Sequence, residues 1–99
     1  MFVIIWEFVV RPEHREAFER AYGPHGEWAE LFRRCKGFVE CELLHDPEDP
    51  ARYVTIDYWR QPEAYTLGMV SIAAAYQELD ARCDEFTVRE RRIGNFVKP

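Results

Sequence analysis

Residues Phe2 to Val10 read Phe-Val-Ile-Ile-Trp-Glu-Phe-Val-Val, and this run constrains the fold more than any other segment. Successive side chains of a strand point to opposite sides of a sheet, so a run that is apolar on both parities belongs to a strand covered on both faces. It is far shorter than a membrane-spanning helix, has no basic leader before it and carries Glu7, so a central strand is expected rather than a membrane span or a secretory signal. The chain around it has 99 residues, enough for one core, and a single domain over residues 1–99 is expected.

The rest of the pattern alternates between helical and extended periods. Arg11-Pro12-Glu13 starts a helix, because proline suits the first turn and Glu13 and Glu16 favour its positive end. Ala17, Phe18, Ala21 and Tyr22 form its apolar stripe, and Gly23-Pro24 ends it. A second amphipathic piece runs from about His25 to Cys35, with Trp28, Leu31, Phe32 and Cys35 three or four apart, and Lys36-Gly37 closes it. Phe38 to His45 places Val39, Cys41 and Leu43 on one face and Glu40 and Glu42 on the other, which reads as a strand with one wet face. Asp46 to Pro50 is a turn by composition, and Arg52 to Trp59 completes a hairpin.

Gln61-Pro62-Glu63 opens another helix, whose apolar positions Tyr65, Met69, Ile72, Tyr76, Leu79 and Cys83 step by four and three. Gly68 and Ser71 predict a kink or a break in it. Thr87 to Phe96 reads as a last, charged strand. The order strand, split helix, strand, strand, helix, strand is the α+β, ferredoxin-like β-α-β-β-α-β arrangement with an antiparallel sheet. Helices cover one sheet face, and in a chain that is 15% aromatic the other face is expected to pair across a twofold axis as a homodimer, giving a dimeric α/β barrel.

A net charge of −5 argues against nucleic acid as the main partner, and Glu90 interrupts the one basic cluster, Arg89, Arg91 and Arg92. Cys35, Cys41 and Cys83 have no CxxC spacing and read as reduced, packed thiols. No Ser-His-Asp order, phosphate-binding glycine loop or metal-spaced His/Cys cluster occurs. These features point to a cytoplasmic protein with no membrane or metal partner.

Three stretches carry a resemblance across nearly the whole chain. They are Val3-Ile4-Ile5-Trp6-Glu7-Phe8, the segment Tyr22 to Phe32 containing Gly-Pro-His-Gly-Glu-Trp, and Tyr53-Val54-Thr55-Ile56-Asp57-Tyr58-Trp59 leading to Glu63-Ala64-Tyr65. Together they resemble the antibiotic biosynthesis monooxygenase family and its dimeric-barrel relatives. The resemblance implies a pocket between sheet and helices in each subunit, lined by aromatic side chains, for a small hydrophobic or aromatic molecule. It also implies oxygenase chemistry that needs neither metal nor flavin, because an electron-rich phenolic or quinol substrate supplies the reducing power. The haem-degrading branch of these relatives has an asparagine on the first strand and a tryptophan and a histidine on the second long helix. This chain has neither Trp nor His between Glu63 and Asp84 and no Asn in its first strand, so it lacks the axial ligand that haem iron requires.

Within that frame the candidate catalytic residues are His25, Trp59 and Tyr65. The pKa of a histidine suits removal of a phenolic proton, and His25 sits at the helix break; as a helix-start residue it would instead face solvent. His14 reads as a surface residue, and His45, before a turn, as a residue of the pocket mouth or of the exposed strand end. Trp6, Trp28, Tyr58 and Tyr76 are candidate substrate-binding residues, since indole and phenol rings offer flat faces and polar tips, although the same residues serve a core equally well. Glu7 and Asp57 are the polar residues least expected among apolar strand neighbours. Each is either paired with one of Arg89, Arg91 and Arg92, or left desolvated with a raised pKa suited to a general base. The alternative to an enzyme is a non-catalytic dimeric barrel that binds a small molecule or serves as an interaction module.

Overall fold

The computed structural model describes residues 1–99. Strand β1 (Phe2–Val10) passes through a 3-10 turn at Pro12–His14 into helix α1 (Arg15–Tyr22), followed by α2 (Glu27–Phe32). Strands β2 (Phe38–His45) and β3 (Arg52–Trp59) form the hairpin, α3 (Pro62–Ser71) and α4 (Ala73–Cys83) follow, and β4 (Thr87–Val97) ends the chain. The sheet is antiparallel with strand order β2-β3-β1-β4, so the doubly apolar run occupies a central strand of a ferredoxin-like fold. No helix is long and apolar enough to cross a membrane.

Strand parity decides what each side chain meets. On β1, Phe2, Ile4, Phe8 and Val10 enter the core under the helices, and Trp6 packs partly buried against it. Val3, Ile5, Glu7 and Val9 take the opposite, helix-free face. Because Ile4 pairs with Asp57, Trp6 with Thr55 and Phe8 with Tyr53, the same register turns Tyr53, Thr55, Asp57 and Trp59 toward the helices. A bulge pairs Gly94 with Ile5 and Arg92 with Trp6, skipping Ile93. Glu90 and Arg92 therefore share the helix side, and Arg89 and Arg91 the open side.

On the open face the Glu7 carboxylate accepts hydrogen bonds from Arg52 Nε at 2.6 Å and from Arg91 Nη2 at 3.1 Å. These bonds, Arg52's foremost, hold the Glu7 carboxyl below its usual range. Arg91 is one of the partners expected from the sequence; Arg52, from the neighbouring strand, is an additional one.

The core is an aromatic stack. Phe18, without measurable exposure, lies face to face with Tyr22 at 4.2 Å between centroids, and Phe8 meets both edge-on at 5.3 and 5.0 Å. Two details differ from the periodic reading. A register shift between Phe38 and Glu40 takes Val39 out of the alternation with Cys41 and Leu43 and leaves it 40% exposed. The long second helix breaks at Ile72, where Ser71 Oγ donates to the Gly68 carbonyl at 2.8 Å, a side-chain bond that competes with helix propagation. The break was expected from Gly68 and Ser71, and it divides the long helix into α3 and α4. Gly37 allows the turn into β2: its φ of 95° lies in the left-handed region, and a Cβ there would come within 2.6 Å of Ala64 Cβ.

Candidate active site

Between the helix face of the sheet and α1, α2 and α4 lies a cavity with about 50 Å³ of water-accessible space inside about 470 Å³ of unfilled volume that opens to solvent. Its floor is Trp6 and Phe8 of β1, Cys41 of β2, Thr55 and Asp57 of β3 and Glu90 of β4. Tyr22, Trp28, Phe32, Tyr76 and Asp80 form the roof. The local sequence explains the roof. Gly23-Pro24-His25-Gly26 turns the chain between α1 and α2, and the three-and-four spacing of Trp28, Leu31 and Phe32 then points one face of α2 at the sheet. Trp28 meets Tyr76 edge-on at 4.9 Å and Tyr22 at 5.8 Å, so residues from three helices form one aromatic wall.

Asp57 is the chemical centre of this cavity. It is 9% exposed, faces Cys41 and Ile4 across the two strand pairings, and takes part in no side-chain hydrogen bond or ion pair. Desolvation pushes its carboxyl up to about 7, with the Arg92 charge a partial counterweight. A carboxyl poised there is half ionised at neutral pH and can accept a proton from a bound phenol. Burial also pushes the neighbouring groups up, Tyr76 to about 12 and Cys41 to about 11, so both stay protonated and neutral at pH 7. Two indole N–H groups, those of Trp28 and Trp59, are buried without a hydrogen-bond acceptor. Trp28 lines the cavity with its ring, while its N–H is turned toward the Tyr22 hydroxyl and the Cys83 thiol without reaching hydrogen-bond geometry.

The residues singled out from the sequence fall into separate places. Trp6, Trp28 and Tyr76 line the cavity. Trp59 has no measurable exposure and packs edge-on among Phe32, Phe38 and Tyr65 at 5.2–5.7 Å, supporting the cavity wall through Phe32. Tyr65 lies beyond the cavity lining; its hydroxyl accepts a hydrogen bond from Arg92 Nη2 at 2.8 Å, while the Arg92 guanidinium sits 5.1 Å over the Trp6 ring. Tyr58 is on the opposite face of the sheet, where its hydroxyl donates to Glu42 at 2.6 Å. His25 is exposed beside a different cleft, with Arg20, Glu27 and Glu30. His14 packs partly buried on Phe86, and His45 stacks on Tyr53 at 4.3 Å while bonding the Pro50 carbonyl at 2.9 Å. No set of three or more His, Cys, Asp or Glu side chains is arranged to hold a metal ion.

Phe8, Tyr22, Phe32, Cys41, Thr55, Asp80 and Glu90 complete the lining without having been singled out as site residues. For Asp80 a signal existed: it follows Tyr76 by four residues, which puts both on one side of a helix. Glu90 carried none, because its side of the sheet depends on the bulge in β4.

The family model described as antibiotic biosynthesis monooxygenase matches residues 1–67, more than half of the chain. Among solved structures, a candidate antibiotic biosynthesis monooxygenase from Bordetella bronchiseptica superposes with a TM-score of 0.76 at 20% identity, over 99% of this chain and 96% of that one. A second, from Deinococcus radiodurans, gives 0.76 at 13% identity over 100% and 93%. SnoaB, a cofactor-independent oxygenase from Streptomyces nogalater, gives 0.68 at 21% identity over 99% and 92%. At such identities these neighbours establish the fold. No curated protein matches the chain. With the fold, the sheet-and-helix cavity and the matched family model in agreement, the chain belongs to the antibiotic biosynthesis monooxygenase family.

Proposed function

We propose that this chain is a cofactor-independent monooxygenase acting on a small aromatic or quinol substrate. The observation that carries the reading is the unpaired Asp57 carboxyl, with its pKa pushed up to about 7, set among the rings of Trp6, Trp28, Phe32 and Tyr76. The fold shared with SnoaB, a cofactor-independent oxygenase, supports it. Asp57 takes the proton of a ring hydroxyl or of an activated ring methylene, and the resulting carbanion or phenolate delivers its electrons to molecular oxygen. Where a methylene becomes a carbonyl, one oxygen atom enters the substrate and the other leaves as water, and all four electrons come from the substrate. The aromatic wall excludes bulk water while the anion exists.

Oxygen uptake by metal-stripped protein over a panel of hydroquinones and anthrone-type phenols, corrected for spontaneous oxidation, tests the reading. Saturable uptake with an oxygenated product is the expected result, and His25→Ala retains it within about twofold because His25 lies outside the cavity. Uptake no faster than the blank throughout would instead favour a non-catalytic module that binds an aromatic molecule.

The same reading includes a homodimer. The helix-free sheet face presents the half-buried Ile5, Val54 and Ile56, flanked by Leu44 at 49% and Phe96 at 48% exposure, an apolar surface beside the Glu7–Arg52–Arg91 cluster suited to an isologous interface. Sedimentation at micromolar concentration is expected to give a dimer, and Ile56→Asp a folded monomer. A wild-type monomer at that concentration would remove this part of the proposal.

A further inference from the structure

The cavity carries three carboxylates and few compensating cations. Asp57 lies on its floor, and Asp80 of α4 and Glu90 of β4 stand together elsewhere in the lining. None of the three is in an ion pair; the ion pairs of the molecule are Arg20–Glu16, Arg52–Glu7, Arg52–Asp46, Arg82–Glu27 and Arg91–Glu7. Arg92 is the cation whose charge bears on Asp57, and it is already committed to the Tyr65 hydroxyl and to the face of Trp6. Glu90 has no counterpart to Arg92. Its carboxyl is raised by desolvation first and then by the negative charges of Asp80 and Asp84, which is the mark of an acid facing other acids.

Aromatic rings complete the pattern. A ring face attracts a cation, and an ammonium group held near carboxylates inside an aromatic wall gains from both interactions once water is displaced. An aromatic carboxylate or phosphate ester would meet like charge on two sides of the same space. The Asp57 carboxyl, 9% exposed and without a side-chain hydrogen bond or ion pair, borders the empty volume, which is where a ligand rather than the protein supplies the missing partner.

From the cavity lining we infer that the substrate class is an aromatic molecule bearing a protonated amine, with the ammonium toward Asp80 and Glu90 and the ring hydroxyl at Asp57. This rests on the reading of the cavity as the substrate site. It goes further in choosing the charge of the ligand, which neither the family nor the fold fixes.

Three probes share one phenol ring and differ in the charge of the side chain: tyramine, 4-hydroxyphenethyl alcohol and 4-hydroxyphenylacetate. Their dissociation constants are read from the indole N–H resonance of Trp28 in the intact 99-residue chain at pH 7.5 and fixed ionic strength. Tyramine is expected to bind at least tenfold more tightly than the neutral alcohol, with the carboxylate weakest. In the double variant Asp80→Asn, Glu90→Gln, both positions being at the surface, tyramine and the alcohol should fall within twofold of each other. That second arm separates the local carboxylates from the general attraction of cations to a chain of net charge −5.

If the alcohol or the carboxylate shifts the Trp28 signal at concentrations equal to or lower than tyramine, the cavity is a ligand site and the inference about charge is wrong. If the double variant keeps the full preference for tyramine, the assignment to Asp80 and Glu90 is overturned. If no probe moves the Trp28 signal at millimolar concentration, the cavity does not take aromatic ligands of this size, and the proposed function loses its site together with this inference.

Discussion

Replacing Asp57 with asparagine is expected to abolish turnover and, above neutral pH, to make the protein more stable. Turnover should fall at least about 100-fold, the usual contribution of a positioned general base. The stability effect follows from proton linkage. The folded-state pKa of Asp57 is raised from 3.8 to about 7, so the folded protein binds this proton more tightly than the unfolded chain does. Its contribution to stability is therefore lost as pH rises from about 4 to about 7 and stays lost above that. Burial of the charge destabilises the native state by a few kcal/mol at pH 8, with about 4 kcal/mol as the ceiling at 1.36 kcal/mol per unit. Asparagine has no charge to bury. Urea denaturation at pH 4 and pH 8 should thus find variant and wild type close together at the lower pH and the variant ahead at the higher. A wild-type kcat/KM that rises with pH through an apparent pKa near 7 would agree with the deprotonated carboxyl as the base. Retention of most activity by Asp57→Asn would remove Asp57 from the mechanism, and a variant no more stable at pH 8 would mean that the carboxylate is solvated or paired in solution.

The contrast between Asp57 and Glu7 locates the boundary of what could be read from the sequence. Both are acids inside apolar strands, and in sequence they look alike. The β1–β3 register sends Glu7 to the helix-free face, where Arg52 and Arg91 reach it, and Asp57 to the helix side, where none of the arginines bonds to it. A shift of one residue would exchange those fates, which is why the alternation alone could name both residues but not assign their roles. Element order, the central place of Phe2–Val10 and the break near Gly68 and Ser71 follow from local patterns, and these were legible. Trp6, Trp28 and Tyr76 were legible as ring-bearing candidates because each lies on the inward parity or stripe of its own element. Tyr58 and Trp59 are neighbours in sequence, but one faces Glu42 on the open side and the other the core, again by parity. The placement of His25 depended on the path of a four-residue turn, and that of Glu90 on a bulge, neither of which hydrophobic periodicity encodes.

That turn supplies the other large expected effect. Gly26 stands between α1 and α2 with φ of −85°, a backbone conformation open to any residue, so its requirement for glycine is spatial. A Cβ at this position would lie 2.2 Å from the Arg20 carbonyl oxygen and 2.4 Å from that of Ala21. Both atoms belong to the backbone of α1 and cannot rotate aside as a side-chain end would. Accommodating alanine therefore means moving α2 away from α1. The parts that move with α2 are Trp28, Ala29, Leu31 and Phe32, all buried, and two of them form the cavity roof. We expect Gly26→Ala to cost about 3 kcal/mol or more, the scale of a core disruption rather than of a helix-propensity change, which would favour alanine by under about 1 kcal/mol. Gly94→Ala is the matched control. Its Cβ would meet the Phe96 ring at 3.1 Å, the end of a side chain rather than backbone. Because Phe96 flanks the proposed dimer face, both glycine variants are compared on the monomeric Ile56→Asp background, where that ring is half exposed and the loss should stay below about 1 kcal/mol. Denaturation midpoints of the two variants, with the Trp28 indole resonance followed in each, check both levels at once. The Trp28 signal should shift in Gly26→Ala even where the variant remains folded, and stay in place in Gly94→Ala. If Gly26→Ala were as stable as the control with Trp28 unmoved, the spacing between α1 and α2 would be soft, and the cavity roof would be set by α4 through the Trp28–Tyr76 contact instead.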